Sequence, residues 1–167
     1  EWDIFNMSRP ANFKCLDDFL KVVRLIFDKR DNVKVLLICP DVADWSIRSI
    51  YTDLLSDYHR LFTQQEKQRF KLVIPKLVDT SLFPFSLETM AYFMNASKVS
   101  TLFSKVEGQS RVIHESLLCG LPIVARAKLK GGGLNYLNDT NSKLFTTLEE
   151  ARDCFLDLID NPQQCQF

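Results

Sequence analysis

Two carboxylates separated by seven residues mark the part of the chain best suited to chemistry. They stand in Glu107-Gly108-Gln109-Ser110-Arg111-Val112-Ile113-His114-Glu115, and Ser116-Leu117-Leu118-Cys119-Gly120-Leu121-Pro122 follows. The pattern puts Glu107 in a loop after an apolar run and Glu115 in the second turn of the next helix. That helix begins at about Gln109–Arg111, where unpaired N–H groups and the positive end of the dipole would face a ligand. An anion or a polyol resting there would meet backbone donors and a carboxylate acceptor from each Glu. Carboxylates suit sugar hydroxyls because each oxygen can accept from a neighbouring pair of O–H groups. The same spacing also fits two solvated glutamates on an amphipathic helix, which is where glutamate is usually found.

Ser8-Arg9-Pro10-Ala11-Asn12-Phe13-Lys14 places two cations at the start of a helix, the end where a positive charge is least favourable. A bound phosphate would explain them, since a forked Arg and a point-charge Lys both hold phosphate well; ordinary surface charge is the alternative. Gly131-Gly132-Gly133 holds three of the five glycines and permits close backbone approach to a ligand, or simply a flexible loop. No Gly-Lys-Ser/Thr follows it, so it is not a P-loop, and the first strand is not followed by a G-x-G-x-x-G fingerprint. His59 and His114 assemble into no Ser-His-Asp or Cys-His set. The five cysteines are far apart with no C-x-x-C, which argues against zinc and for incidental thiols in a reducing compartment.

The elements that must position these residues alternate from end to end. Strand patterns lie at Trp2–Met7, Lys34–Cys39, Phe70–Ile74, Val99–Phe103, Pro122–Ala125 and Leu144–Thr146. Helical periodicity covers Phe13–Asp28, Ile47–Phe62, Leu87–Met94, Arg111–Cys119 and Leu148–Ile159, with Ser86 as an N-cap and Gly120 as a C′ residue. Continuous apolar strands alternating with helices predict an α/β fold: a Rossmann-like, doubly wound parallel sheet of about six strands with helices on both faces. Ligands of such sheets bind beyond the carboxyl ends of the strands. The loops at 8–14, 40–46, 75–85, 104–110 and 127–135 are therefore the ones to watch. The aromatics, Phe83 and Phe85 included, follow the apolar faces and read as core.

With 167 residues, 21 Lys+Arg and 21 Asp+Glu, the chain suits one domain with a real core. Zero net charge argues against a nucleic-acid or membrane-surface protein, which needs a basic field. A hydrophobic share of 46% excludes disorder as the main state. No window is apolar for long enough to span a membrane, and no secretory signal is visible. The first residue is Glu1, and the chain reads as a piece of a longer protein.

In combination these segments resemble the C-terminal, donor-binding domain of group 1 glycosyltransferases, a retaining family of the GT-B fold. Glu107 to Pro122 is similar to that family's Glu-Gly-x-x-x-x-x-x-Glu-x-x-x-x-Gly-x-Pro block. Arg9 and Lys14 match its Gly-Arg-x-x-x-x-Lys segment, with Ser8 in place of Gly. Gly131 to Phe145 matches its Gly-Gly loop and the strand entry after it, with Asn141-Ser142 for Asn-Gly. The resemblance implies that Arg9 and Lys14 hold a diphosphate and that Glu107 contacts the donor sugar at the reacting centre. Gln109, Ser110 and Arg111 would present backbone amides to sugar or phosphate, and Glu115 would accept from ribose hydroxyls. Val78, Asp79 and Leu82 would border the nucleobase, and Gly131 and Gly132 would form the ligand-side loop. It further implies a nucleoside-diphosphate sugar as substrate, no cofactor and no metal, and a bacterial, cytoplasmic enzyme of polysaccharide biosynthesis. An N-terminal acceptor domain would lie outside this chain, which alone would transfer nothing, and the full enzyme could associate with a membrane surface. Leu134-Asn135-Tyr136 departs from the family's Pro-Glu, and Gln109-Ser110 from its Phe-Gly; both changes bear on which sugar is bound. A non-catalytic Rossmann-like interaction module and a sugar-nucleotide epimerase domain are the other readings of the same scaffold.

Overall fold

The continuous apolar runs form a parallel sheet whose two faces are both covered. A computed structural model of the chain describes residues 1–41, 48–76 and 85–162. Strands β1 (Trp2–Met7), β2 (Val35–Ile38), β3 (Phe70–Val73), β4 (Ser97–Leu102), β6 (Ile123–Arg126) and β8 (Ser142–Phe145) are joined in the order β3-β2-β1-β4-β6-β8. All five pairings are parallel. Helices α1 (Leu16–Phe27), α2 (Arg48–Leu61) and α5 (Leu148–Asp160) supply the core of one face, α3 (Leu87–Asn95) and α4 (Arg111–Leu118) that of the other. The expected six-strand, doubly wound α/β sheet is therefore present. Among the described residues no helix is long and apolar enough to cross a membrane.

Period-2 alternation divides each strand between the two cores. Ile4 of β1 and Val35 and Leu37 of β2 face α1, while Phe5, Met7, Leu36 and Ile38 face α3. The larger core is held by aromatic contacts: the Phe103 ring lies edge-on to Phe19 at 5.4 Å and tilted against Phe145 at 4.8 Å, centre to centre. The Phe103 carbonyl also accepts from Arg126 Nε at 3.0 Å. Arg126 reaches on to Asp18 of α1 at 2.8 Å, tying the end of β6 to that helix. The helix signals act as read: Ser86 Oγ accepts from the Thr89 N–H, and Gly120 follows α4 with φ of +71°.

Two stretches differ from their sequence patterns. The first helix does not begin at Phe13. Asn12–Lys14 form a 3-10 turn, Cys15 adopts a left-handed φ of +51°, and α1 starts only at Leu16. Phe13, placed by periodicity on the buried face, is 45% exposed. Its carbonyl is instead drawn across to the Lys105 N–H, 2.8 Å away. Residues 106–109 and 130–132, read as loops, form a two-stranded parallel ribbon, β5 (Val106–Gln109) with β7 (Lys130–Gly132). Glycine and charge in both strands carry no apolar alternation, so the pairing rests on backbone hydrogen bonds alone.

Phe103→Ala should remove the aromatic junction of the larger core, at a cost of about 3–5 kcal/mol. Thermal unfolding followed by circular dichroism should show Tm lowered by roughly 6–20 °C. A drop below about 3 °C would contradict this packing.

Candidate functional site

Counted along the chain, the six strands of the main sheet run 3-2-1-4-5-6, so the order reverses between β1 and β4. The chain leaves β1 toward α1 on one face and leaves β4, by way of β5, toward α4 on the other. The gap that opens beyond the strand ends is the usual ligand position in such a sheet. A cavity of about 210 Å³ lies there. Met7, Ser8, Arg9 and Lys14 wall it from the β1 side and Leu102 from the sheet. Glu107, Gln109, Ser110, Arg111 and Val112 close the remaining side.

Lys14 and Glu107, 93 positions apart in sequence, meet in its lining: Lys14 Nζ is 2.5 Å from Glu107 Oε1. The side chains are only 16% and 10% exposed, so each charge is largely removed from water and relies on the other. Lys14 is aimed by the turn at Asn12–Cys15, which the bond between Phe13 and Lys105 anchors. Glu107 is aimed by the β5–β7 ribbon. A Cβ at Gly131 would sit 1.7 Å from the Glu107 carbonyl oxygen, and Gly131 has φ of +99°. Only glycine allows both the approach and the dihedral. Gly132 is similarly pressed on Gly108, whose carbonyl oxygen lies 2.6 Å from where a Cβ would be.

The N-terminus of α4 opens onto the same cavity. Ser110, the N-cap, is buried, and its side chain accepts no capping bond. The amides of the first turn therefore keep their donors for a ligand or water. The Ser110 carbonyl is held from behind by His114 Nδ1 at 3.0 Å, and the His114 ring packs edge-on against Tyr136, 4.3 Å between centres. Arg111 is paired with Glu115 at 3.1 Å along the helix. Arg9 is exposed and, among the described residues, forms no ion pair. The positive elements thus ring one carboxylate: Arg9, Lys14 and a helix dipole around Glu107. Such a site can take an anion of two or more charges together with a hydroxylated group.

Of the residues singled out from sequence, Arg9, Lys14, Glu107, Gln109, Ser110 and Arg111 are brought to one cavity. Glu115 stands one helical turn away and reaches it only through Arg111. Gly131 and Gly132 are not among the residues lining this cavity; they pair with β5 and set its position. Val78, Asp79 and Leu82 lie outside the described residues. Met7, Ser8, Leu102 and Val112 were missed as lining residues, and only the strand order, which sequence does not state, marks them. Buried Asn6, one residue below the cavity wall, has a side-chain oxygen without a hydrogen-bond partner among the described residues. A larger groove of about 590 Å³ beside β8, between Leu137 and Cys154, holds none of these groups. The described residues contain no cluster of three or more His, Cys, Asp or Glu able to hold a metal ion.

No family model matches the chain, and no curated protein matches its sequence. Solved structures do match its shape. A mutant of S. aureus TarM in complex with fondaparinux, alpha-GlcNAc-glycerol and UDP superposes with a TM-score of 0.68 at 18% identity, over 99% of this chain and 31% of that one. A UDP-forming alpha,alpha-trehalose-phosphate synthase from Burkholderia xenovorans, bound to glucose-6-phosphate, gives 0.79 at 14% identity, over 99% and 37%. The pneumococcal O-GlcNAc transferase GtfA in complex with UDP and GlcNAc gives 0.60 at 15% identity, over 98% and 28%. The chain therefore shares the fold of the domain it matches in each of these three proteins. The chain spans less than two-fifths of the length of each of these structures.

One glycine from each strand of the ribbon, Gly131 of β7 and Gly108 of β5, separates cleanly by mutation. Gly131→Ala should drive β5 from β7, lowering stability by about 2 kcal/mol or more. Gly108→Ala, with no atom within 4 Å of the added Cβ, should stay within about 0.5 kcal/mol of the parent. Thermal melts and amide chemical shifts of residues 105–110 check both; equal effects at the two positions would contradict the ribbon.

Proposed function

We propose that this chain is the donor-binding domain of a retaining glycosyltransferase that transfers sugar from a nucleoside-diphosphate sugar to a glycan or lipid-linked acceptor. The observation that carries the reading is the convergence of Arg9, Lys14 and the uncapped α4 N-terminus on Glu107 at the switch point of the sheet. A diphosphate needs several fixed positive groups, and a sugar beside it needs an acceptor of hydroxyl hydrogens. Two of the structural neighbours are complexes with UDP and a third is UDP-forming, which supports a nucleoside diphosphate as the leaving group here. Each neighbour is more than twice as long as this chain, which supports an acceptor domain elsewhere in the protein.

The geometry suggests a division of labour. Arg9, Lys14 and the amides of Arg111 and Val112 would hold the diphosphate. As the bond between sugar and phosphate breaks, they would stabilise the charge that collects on the departing oxygens. They supply this positive charge from the chain itself, so the reading calls for no metal. Glu107 would orient the sugar through its hydroxyls, placing the anomeric carbon beside the diphosphate. The acceptor oxygen would bond to that carbon on the face the phosphate leaves, and its proton would pass to the departing phosphate. Positioning of the acceptor is left to the other domain, so the chain alone should bind without transferring sugar. Glu115, in the second turn of α4, would accept from the ribose hydroxyls, and Val78, Asp79 and Leu82 would border the base.

Isothermal titration of the chain with UDP, GDP and ADP tests the reading. One of the three should bind, with Kd in the micromolar to millimolar range, about −4 to −8 kcal/mol. Arg9→Ala should weaken that diphosphate roughly tenfold, about 1.4 kcal/mol, while leaving the affinity for the corresponding nucleoside unchanged. Binding to none of the three by a folded chain would overturn the donor site. Equal losses for nucleoside and diphosphate would overturn the role of Arg9.

A further inference from the structure

We propose that Glu107 is a ligand of its own site: in the empty cavity it occupies Lys14, and it discriminates between a diphosphate that carries a sugar and one that does not. The inference rests on the donor-site reading and goes beyond it.

Its basis is an asymmetry between the two cations. Arg9 is exposed and forms no ion pair among the described residues, whereas Lys14 is spent on Glu107 at 2.5 Å. Both members of the pair are at least four-fifths buried. Separating them leaves two poorly hydrated charges, and each must then find another partner. A diphosphate provides one for Lys14, with more charge and more acceptor oxygens than a single carboxylate. Glu107 is then left beside phosphate, like charge facing like charge. If the diphosphate carries a sugar, hydroxyl hydrogens reach the freed carboxylate and satisfy it. A bare diphosphate offers no such donor, and Glu107 is drawn back to Lys14.

The pair therefore sets a threshold for binding. A sugar-bearing diphosphate replaces both halves of the contact, whereas the bare diphosphate left after transfer replaces only one. The same competition that weakens binding of the bare species helps to expel it. Glu107 is held for this exchange by the β5–β7 ribbon as well as by the lysine: its backbone pairs with Gly131, a contact its side chain does not make. The carboxylate can thus change partners without its strand moving.

Inorganic pyrophosphate is the probe, because it engages the cations and carries neither sugar nor base. Titration at fixed ionic strength should show Glu107→Gln binding pyrophosphate about fivefold to tenfold more tightly than the parent. Glu107→Ala gives the same comparison if the amide makes a new contact. In a Lys14→Ala background the gain should vanish, since no lysine remains to be released. A gain that persists without Lys14 would mean simple repulsion between Glu107 and phosphate and would overturn the inference. So would unchanged or weaker binding by both Glu107 variants, with thermal melts showing them folded, which is what a merely structural carboxylate would give. If neither the parent nor any variant binds pyrophosphate, the inference falls, while the donor-site reading stands or falls on the titration with UDP, GDP and ADP. Binding by the parent without tightening in the Glu107 variants overturns the inference alone.

Discussion

The site depends on the reversal of strand order between β1 and β4. A parallel strand must be followed by a crossover, and right-handed crossovers send consecutive connections to the same face until the order reverses. At β1 and β4 the two connections part, α1 to one face and α4 to the other. Backbone ends and helix N-termini are left around a gap that no side chain of the core fills. The 3-10 turn at Asn12–Lys14, the β5–β7 ribbon and the first turn of α4 all border that gap. The turn is tied to the ribbon's side by the bond from the Lys105 N–H to the Phe13 carbonyl, and Lys105 accepts in turn from the Lys130 N–H at 2.9 Å. One short run of backbone bonds thus aligns three segments distant in sequence.

The local conformations at the gap are costly ones, and that cost is consistent with a fixed geometry. Cys15 holds a left-handed φ immediately after Lys14, and Gly131 and Gly133 hold φ values no ordinary side chain favours. The Cys15 thiol is buried, and burial pushes its pKa up, so the residue behaves there as a small apolar filler. These strained positions flank the two charged residues that meet in the cavity. Cys15 belongs to the larger core with Phe19, Phe103, Phe145 and Phe155, all fully or nearly fully buried.

Ion pairing divides into two kinds in this chain. Pairs along helices such as Lys21 with Asp17, or Arg111 with Glu115, lie toward solvent and contribute little to stability. Lys14 with Glu107 and Arg126 with Asp18 join segments far apart in sequence and are mostly buried. The second of these fixes α1 to the sheet. The first joins the turn at Asn12–Lys14 to β5 inside the cavity, where a ligand that offers each charge a new partner could exchange with it.

The sequence alone determined the sheet strands, the five helices and the side on which ligand loops lie, because continuous apolar runs and 3.6-residue periodicity are local signals. It also marked Arg9, Lys14, Glu107 and Arg111, since charged residues at a helix start stand out by type and spacing. It did not determine the start of α1, where the pattern ran through Phe13, because a backbone bond to Lys105 outweighs one residue's preference to be buried. Nor did it reveal the β5–β7 ribbon, whose strands are polar or glycine apart from Val106 and show their pairing only in the backbone. Tertiary structure alone decided that Lys14 and Glu107 touch and that Gly131 packs against the backbone of Glu107. Each of these is a contact between segments tens of residues apart, set by strand order, and strand order leaves no trace in the local pattern of residues.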